Sequence, residues 1–159
     1  MTTDTTVSWT TPSPVEVALT RTFDAPQQLV FEAFTEPEHV ARWMLGPEGW
    51  TMPVCEIDLR PGGRWHMVWR RTDGSEMAMT GEYLEVTPWS KTVQTESWGP
   101  GWASTVNTTR FIADGDRTTV VQTMEFPSQA DRDRALGTGM KDGAEVSYER
   151  LAAHLAAAG

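Results

Sequence analysis

Between Trp50 and Pro127 the chain is punctuated about every ten residues by turn-forming clusters: RPGG, TDGS, TPWS, GPGW and ADGD. The runs between them are WTMPVCEIDL, GRWHMVWRR, EMAMTGEYLEV, KTVQTESW, STVNTTRFI and RTTVVQTMEF, rich in β-branched and aromatic residues. Connections this short cannot cross a sheet, so neighbouring runs pair antiparallel. Six consecutive strands of a meander are predicted.

The flanks follow a different period. VEVALTRTF places Val15, Val17, Leu19, Arg21 and Phe23 on one face and predicts a further strand. DAPQQLVFEAF and TEPEHVARWML predict two short helices split near Thr35. Pro26 suits a first turn, Thr35 and Glu38 form a capping box, and Leu29, Phe34, Val40 and Trp43 face inward. After Pro127 the chain is predicted helical. Ser128 caps it, Asp131 sits in the first turn, and Leu136, Met140, Ala144, Ser147, Leu151 and Leu155 fall near one stripe. Gly137, Gly139 and Gly143 interrupt the first half of this segment, each at a cost of roughly 1 kcal/mol relative to alanine. A kink, a close neighbour, room for a ligand or a broken helix start would each account for them. The expected architecture is α+β: a seven-stranded curved antiparallel sheet around a long C-terminal helix. It forms a single domain over residues 15–157, preceded by a flexible Thr/Ser/Pro-rich arm over 1–14.

At 159 residues one core suffices, because folding buries roughly 70% of the extended chain's surface. Thirteen basic against 22 acidic residues leave a formal charge of -9, which repels phosphate backbones and anionic membranes. Neither nucleic acid nor a membrane is expected as a partner. Cys55 is the single cysteine, which rules out an intramolecular disulfide or a cysteine-based zinc site; it is expected to be a small buried hydrophobe. The first 14 residues lack the basic start and apolar run of a signal peptide, and no stretch reaches the roughly 18 apolar residues of a membrane span. A cytoplasmic location is expected. No GxGxxG, Walker or HExxH pattern is present, and His39, His66 and His154 are scattered, so neither a cofactor nor a metal is expected.

Four stretches carry a resemblance: TRTFDAPQQLVFEAFTEPEHVARWM, IDLRPGGRW, TGEYLEVTP and RDRALGTGMKDGAEVSYERLAAHL. In this order, and with this strand sequence, the chain from about Val15 to Leu155 resembles the SRPBCC superfamily of START-like proteins. The likeness is to the single-domain branch named after the activator of the heat-shock chaperone's ATPase. The resemblance implies the helix-grip fold and a cavity between its concave sheet and C-terminal helix. Superfamily members bind lipids, sterols and polyketides in that cavity, and some are aromatases or cyclases.

Eight Trp and eight Met supply candidates for the lining of such a cavity. Trp65, Met67 and Trp69 share one strand face, and Met77 and Met79 share a face of the next strand, forming a patch across the TDGS turn. Trp43, Trp98, Met124 and Met140 are placed to close it. His66, in the opposite phase, belongs outside. In QTESW, Gln94 and Glu96 are in phase with Trp98. A pocket-facing Glu96 would hold a proton more tightly and serve as an acid or base, with Gln94, Asn107 and Gln122 as polar partners; the other reading of Glu96 is a solvated carboxylate or a pair with Arg64 or Arg110. Trp50 and Trp102, beside glycines, are expected at loops that rim the pocket or meet a partner protein. The leading expectation is a non-catalytic or weakly catalytic pocket protein that binds a small hydrophobic molecule, an aromatic one foremost. The alternatives are a cyclase- or aromatase-like enzyme using Glu96, and a chaperone ATPase cofactor acting by protein contact. Homodimerisation stays open.

Overall fold

The computed structural model describes residues 6–158. Its elements in chain order are β1 (Ser8–Thr10), β2 (Glu16–Phe23), α1 (Gln27–Thr35), α2 (Pro37–Trp43), β3 (Trp50–Ile57) and β4 (Arg64–Arg71). Then follow β5 (Glu76–Thr87), β6 (Lys91–Glu96), β7 (Thr105–Asp114), β8 (Arg117–Glu125), α3 (Gln129–Leu136) and α4 (Met140–Ala158). The sheet is antiparallel throughout, in the order β1-β2-β8-β7-β6-β5-β4-β3. The six-strand meander and the strand across the helices form as expected. This is the helix-grip arrangement, with one strand more than predicted.

The eighth strand lies inside the segment read as a loose arm. Ser8–Thr10 pairs with β2, and Trp9 anchors it by donating its indole N–H to Glu145 of α4 at 2.8 Å. The Lys141 ammonium stands over the same ring. Polar Thr/Ser composition hides this strand, because its stability comes from one tryptophan docking on a distant helix. Residues 1–5 of the predicted arm lie outside the described residues.

Two helix boundaries also differ from expectation. Thr35 does not cap α2; it ends α1, buried, and returns its hydroxyl to the Phe31 carbonyl at 2.8 Å. Glu36 takes the cap position without a side-chain bond, and Pro37 opens the helix. The missing N–H of proline already removes one of the donors a cap would satisfy. The C-terminal segment forms two helices rather than one. Ser128 accepts from the Asp131 amide as expected, but the chain breaks after Leu136, where Gly139 adopts φ 82°, a conformation open to glycine at little cost.

The concave face is as the alternation predicted. Val17, Leu19, Arg21 and Phe23 of β2 are buried, as are Trp65, Met67 and Trp69 of β4, while His66 faces outward beside Glu56. The face carries two apolar clusters. Val17, Leu19, Phe23, Phe111, Val120 and Met124 pack with α1, Trp43, Tyr148, Leu151 and Leu155. Trp65, Met67, Trp69 and Tyr83 pack with Val40 of α2. Each large side chain withdrawn from water contributes roughly 1.5–3 kcal/mol. Tyr148, whose hydroxyl donates to Gln122 at 3.0 Å, ties α4 to the sheet. No helix among the described residues is long and apolar enough to cross a membrane.

Candidate functional site

Indole donors show how the aromatic face is used. Trp65 Nε1 donates to the Thr95 carbonyl at 3.1 Å, Trp69 to Met44 at 2.7 Å, and Trp43 to Ala33 at 2.7 Å. Each ring therefore buries its apolar body and satisfies its single polar atom on the backbone, which fixes its orientation. Met67 and Met79 sit opposite each other in the β4–β5 register, and Cys55 opposes Met67 from β3. Burial pushes the Cys55 thiol up to about 11, so it stays protonated and weakly nucleophilic. Met77 shares this face but stands at its open end, 42% exposed. Met124 is buried and Met140 half-buried at the edge of the other cluster, to which Trp43 also belongs. The twelve predicted site residues thus divide among a packed aromatic face, a second core cluster and a polar group at one end of the sheet.

That polar group is the most chemically distinctive feature. Gln94 and Asn107 are register partners, as are Glu96 and Thr105, so the side chains of β6 and β7 meet on the concave face. Asn107, 2% exposed, donates its amide to Glu96 Oε2 at 2.6 Å and accepts the Thr105 hydroxyl at 2.8 Å. Trp98 donates its indole N–H to Glu96 Oε1. As a residue Glu96 keeps some accessible surface, yet protein atoms closely surround its carboxyl group. Burial raises its pKa above the usual carboxylate range; the Trp98 and Asn107 donors favour the ionised form and only partly offset this. No arginine pairs with it among the described residues: the indole and the amide take the place of Arg64 and Arg110.

Trp98, the indole donor to this carboxyl group, and Thr105, the register partner of Glu96, also line a small cavity of about 10 Å³, together with Trp102, Ala103, Phe126, Asp131 and Ala135. That is room for about one water. Its cover is the β6–β7 loop. Trp102 meets Trp98 with ring centroids 5.2 Å apart, and the Arg134 guanidinium of α3 lies 3.8 Å from the Trp102 centroid. Arg134 also donates to the Gly101 carbonyl at 2.6 Å, and Gly101 itself takes φ 85°. The loop is thus hinged on glycine and pinned by one arginine.

Two residues escaped the sequence reading. Arg134 gave no signal, because its partner is 33 residues away in sequence. Gly81 did, as a glycine inside a strand pattern. A side chain there would collide with the Thr95 carbonyl and with the Trp65 indole. No cluster of three or more His, Cys, Asp or Glu side chains suited to a metal ion occurs among the described residues.

Residues 24–156 match the family model described as activator of Hsp90 ATPase homolog 1-like protein. The chain belongs to this family. Solved structures agree in fold. A Rhodobacter sphaeroides protein is 22% identical, with 95% of this chain and 98% of that one covered and a TM-score of 0.88. Protein NE0264 from Nitrosomonas europaea is 23% identical, with 92% and 97% covered and a TM-score of 0.82. An AHSA1-like protein from Aeromonas hydrophila is 17% identical, with 87% and 93% covered and a TM-score of 0.73. A comparison with curated proteins finds no match.

Proposed function

We propose that this protein binds a small, largely apolar molecule of aromatic character at the end of the sheet where Trp98, the indole donor to Glu96, lines a small cavity with Trp102 and Phe126. The observation that carries this reading is the carboxyl group of Glu96, held by Asn107 and by Trp98, which is also one of the aromatic walls of the cavity. A buried carboxyl group costs stability unless it is well bonded, and apolar walls with a few fixed polar groups are the usual make-up of a ligand site. At about 10 Å³ the cavity is too small for such a molecule, so binding requires the β6–β7 loop to lift Trp102 away from Trp98. The ligand then replaces Trp102 against Trp98, and Glu96 or Asn107 meets its polar atom.

The test is tryptophan fluorescence and melting temperature against a panel of aromatic and alicyclic compounds, on the native chain and on Trp102→Ala. A ligand should change the emission and raise the melting temperature, with faster association in the variant. A panel that leaves both signals unchanged in both proteins would sink the proposal.

A second reading is favoured by the raised pKa of Glu96. A carboxyl group whose burial makes it hold its proton more tightly can act as a general acid on a bound ligand. Under this reading, Glu96→Gln abolishes turnover of an identified substrate while its binding persists; unchanged turnover removes Glu96 from the role.

A further inference from the structure

The opposite end of the β2–β8 ladder holds a second, larger space. Val17 and Met124 mark the Glu96 end of this ladder, and Phe23 and Thr118 the other. There a groove of about 310 Å³ runs between the end of β2, the start of α1 and the last turns of α4. Its walls are mainly apolar, chiefly Phe23, Pro26, Leu29, Ala152, Leu155 and Ala156, with Thr22 and Asp24 among the polar residues of the lining. The volume falls within the range of small-molecule sites.

Arg21 lines the same groove and is 4% exposed. A buried guanidinium needs acceptors for its donors, and this one is under-supplied. Its Nη1 donates to Glu149 at 2.8 Å, but Glu149 stands on the outside of α4, 73% exposed, and gives a screened, mobile counter-charge. Its Nε–H is buried and has no partner among the described residues. One other described side-chain nitrogen shares that condition, Nε of Arg117, and Arg117 does not line this groove. The Arg21 guanidinium also lies 5.0 Å from the Phe23 centroid, so its position is set by packing rather than by solvent. A buried, fixed, incompletely paired cation in an apolar groove is a receptor for an anion with an apolar tail.

We propose that this groove binds an amphipathic carboxylic acid, its carboxylate against the Arg21 side chain where it lines the groove and its hydrocarbon part along Leu29, Ala152 and Leu155. Carboxylate and guanidinium match in geometry, and a carboxylate held inside the groove is a less screened counter-charge than the exposed Glu149. A neutral molecule of the same shape fills the groove but leaves the charge uncompensated. The site is therefore selective for acids, although the chain as a whole is acidic. It is also separate from the Glu96 site.

The experiment is calorimetric titration of the full chain with decanoate and with decanol, both below the concentrations at which they aggregate. Decanoate should bind at least roughly ten-fold more tightly than decanol, the difference one charge-assisted hydrogen bond makes. Arg21→Met should bring the two affinities together, and its melting temperature reports whether the variant folds. Glu149→Gln, a change on the exposed side of α4, should tighten decanoate without affecting decanol, because it removes a competing carboxylate. Ala156→Trp fills the groove from an exposed position and should abolish binding of both. Glu96→Gln and Trp102→Ala should leave both unchanged, which keeps this site distinguishable from the other. Equal affinity for acid and alcohol in the native chain, or decanoate binding that survives Ala156→Trp, would overturn the proposal.

Discussion

The indole of Trp65 occupies the space that a side chain at Gly81 would need. The two residues are register partners on β4 and β5, and a Cβ at position 81 would lie 2.3 Å from Trp65 Nε1 and 1.8 Å from the Thr95 carbonyl. The glycine lets the ring cross β5 and reach the carbonyl on β6 to which it donates.

Gly81→Ala should therefore destabilise the fold by about 1–3 kcal/mol or more, through overpacking and loss of the indole bond. Chemical denaturation measures this, and a red shift in the emission of the native state would report the displaced ring. A stability equal to that of the parent chain would show that the strands separate more easily than this contact implies.

Glu96→Gln should leave the fold intact. Asn107 can turn its amide so that its oxygen faces the new donor while Thr105 reverses its hydroxyl, and Trp98 keeps an acceptor. The pH dependence carries the sign. Because the folded-state pKa of Glu96 is raised, its protonated form favours folding below the ordinary value of 4.5, and that contribution is lost as pH rises through the folded value. The stability of Glu96→Gln relative to the parent should thus increase as pH rises above 4.5. Melting temperatures of the two proteins across this range give the comparison, and parallel curves would count against the buried carboxyl.

His39 Nδ1 and His154 Nε2 stand 2.8 Å apart and join α2 to α4, a bond that requires at least one neutral ring. Burial, His39 and Arg42 lower the pKa of His154 from its ordinary 6.5. A lowered folded-state value means that stability is complete above 6.5 and is lost as pH falls through the folded value. Replacing His154 with Gln should flatten this loss, at a cost of about 0.5–1.5 kcal/mol at neutral pH for the missing bond. The two imidazole titrations followed by NMR would provide the direct check.

Arg134→Ala should loosen the β6–β7 loop. It removes the cation over Trp102, worth about 0.5–1 kcal/mol at an exposed position, and the bond to Gly101. Amide exchange over residues 99–103 should quicken while the core strands keep their protection. Unchanged exchange there would mean that the Trp98–Trp102 contact alone closes the loop.

Gly143→Ala should stabilise the protein by about 0.5–1 kcal/mol. The residue lies in the first turn of α4, and an added Cβ would meet Pro47 Cδ at 3.7 Å, an ordinary contact. Its presence is therefore not required by close packing, and a lower melting temperature would point to a different constraint on this turn.

Much of the architecture is encoded within a few residues. Turn chemistry at RPGG, TDGS and ADGD, together with the alternation of Trp65, Met67 and Trp69 against His66, determined the meander and its inward face, because strand period and turn type act over short distances. The phase of Gln94, Glu96 and Trp98 likewise placed them on one side. Tertiary structure alone decided which groups they would meet. Trp9 turned a polar arm into a strand by reaching Glu145, and Asn107 and Trp98 took the place of an arginine at Glu96. Arg134 closed a loop far from it in sequence, and Arg21 was left buried with one donor unpaired. These pairings depend on how closely distant segments approach once the sheet curves around α4, and no local pattern of residues carries that distance.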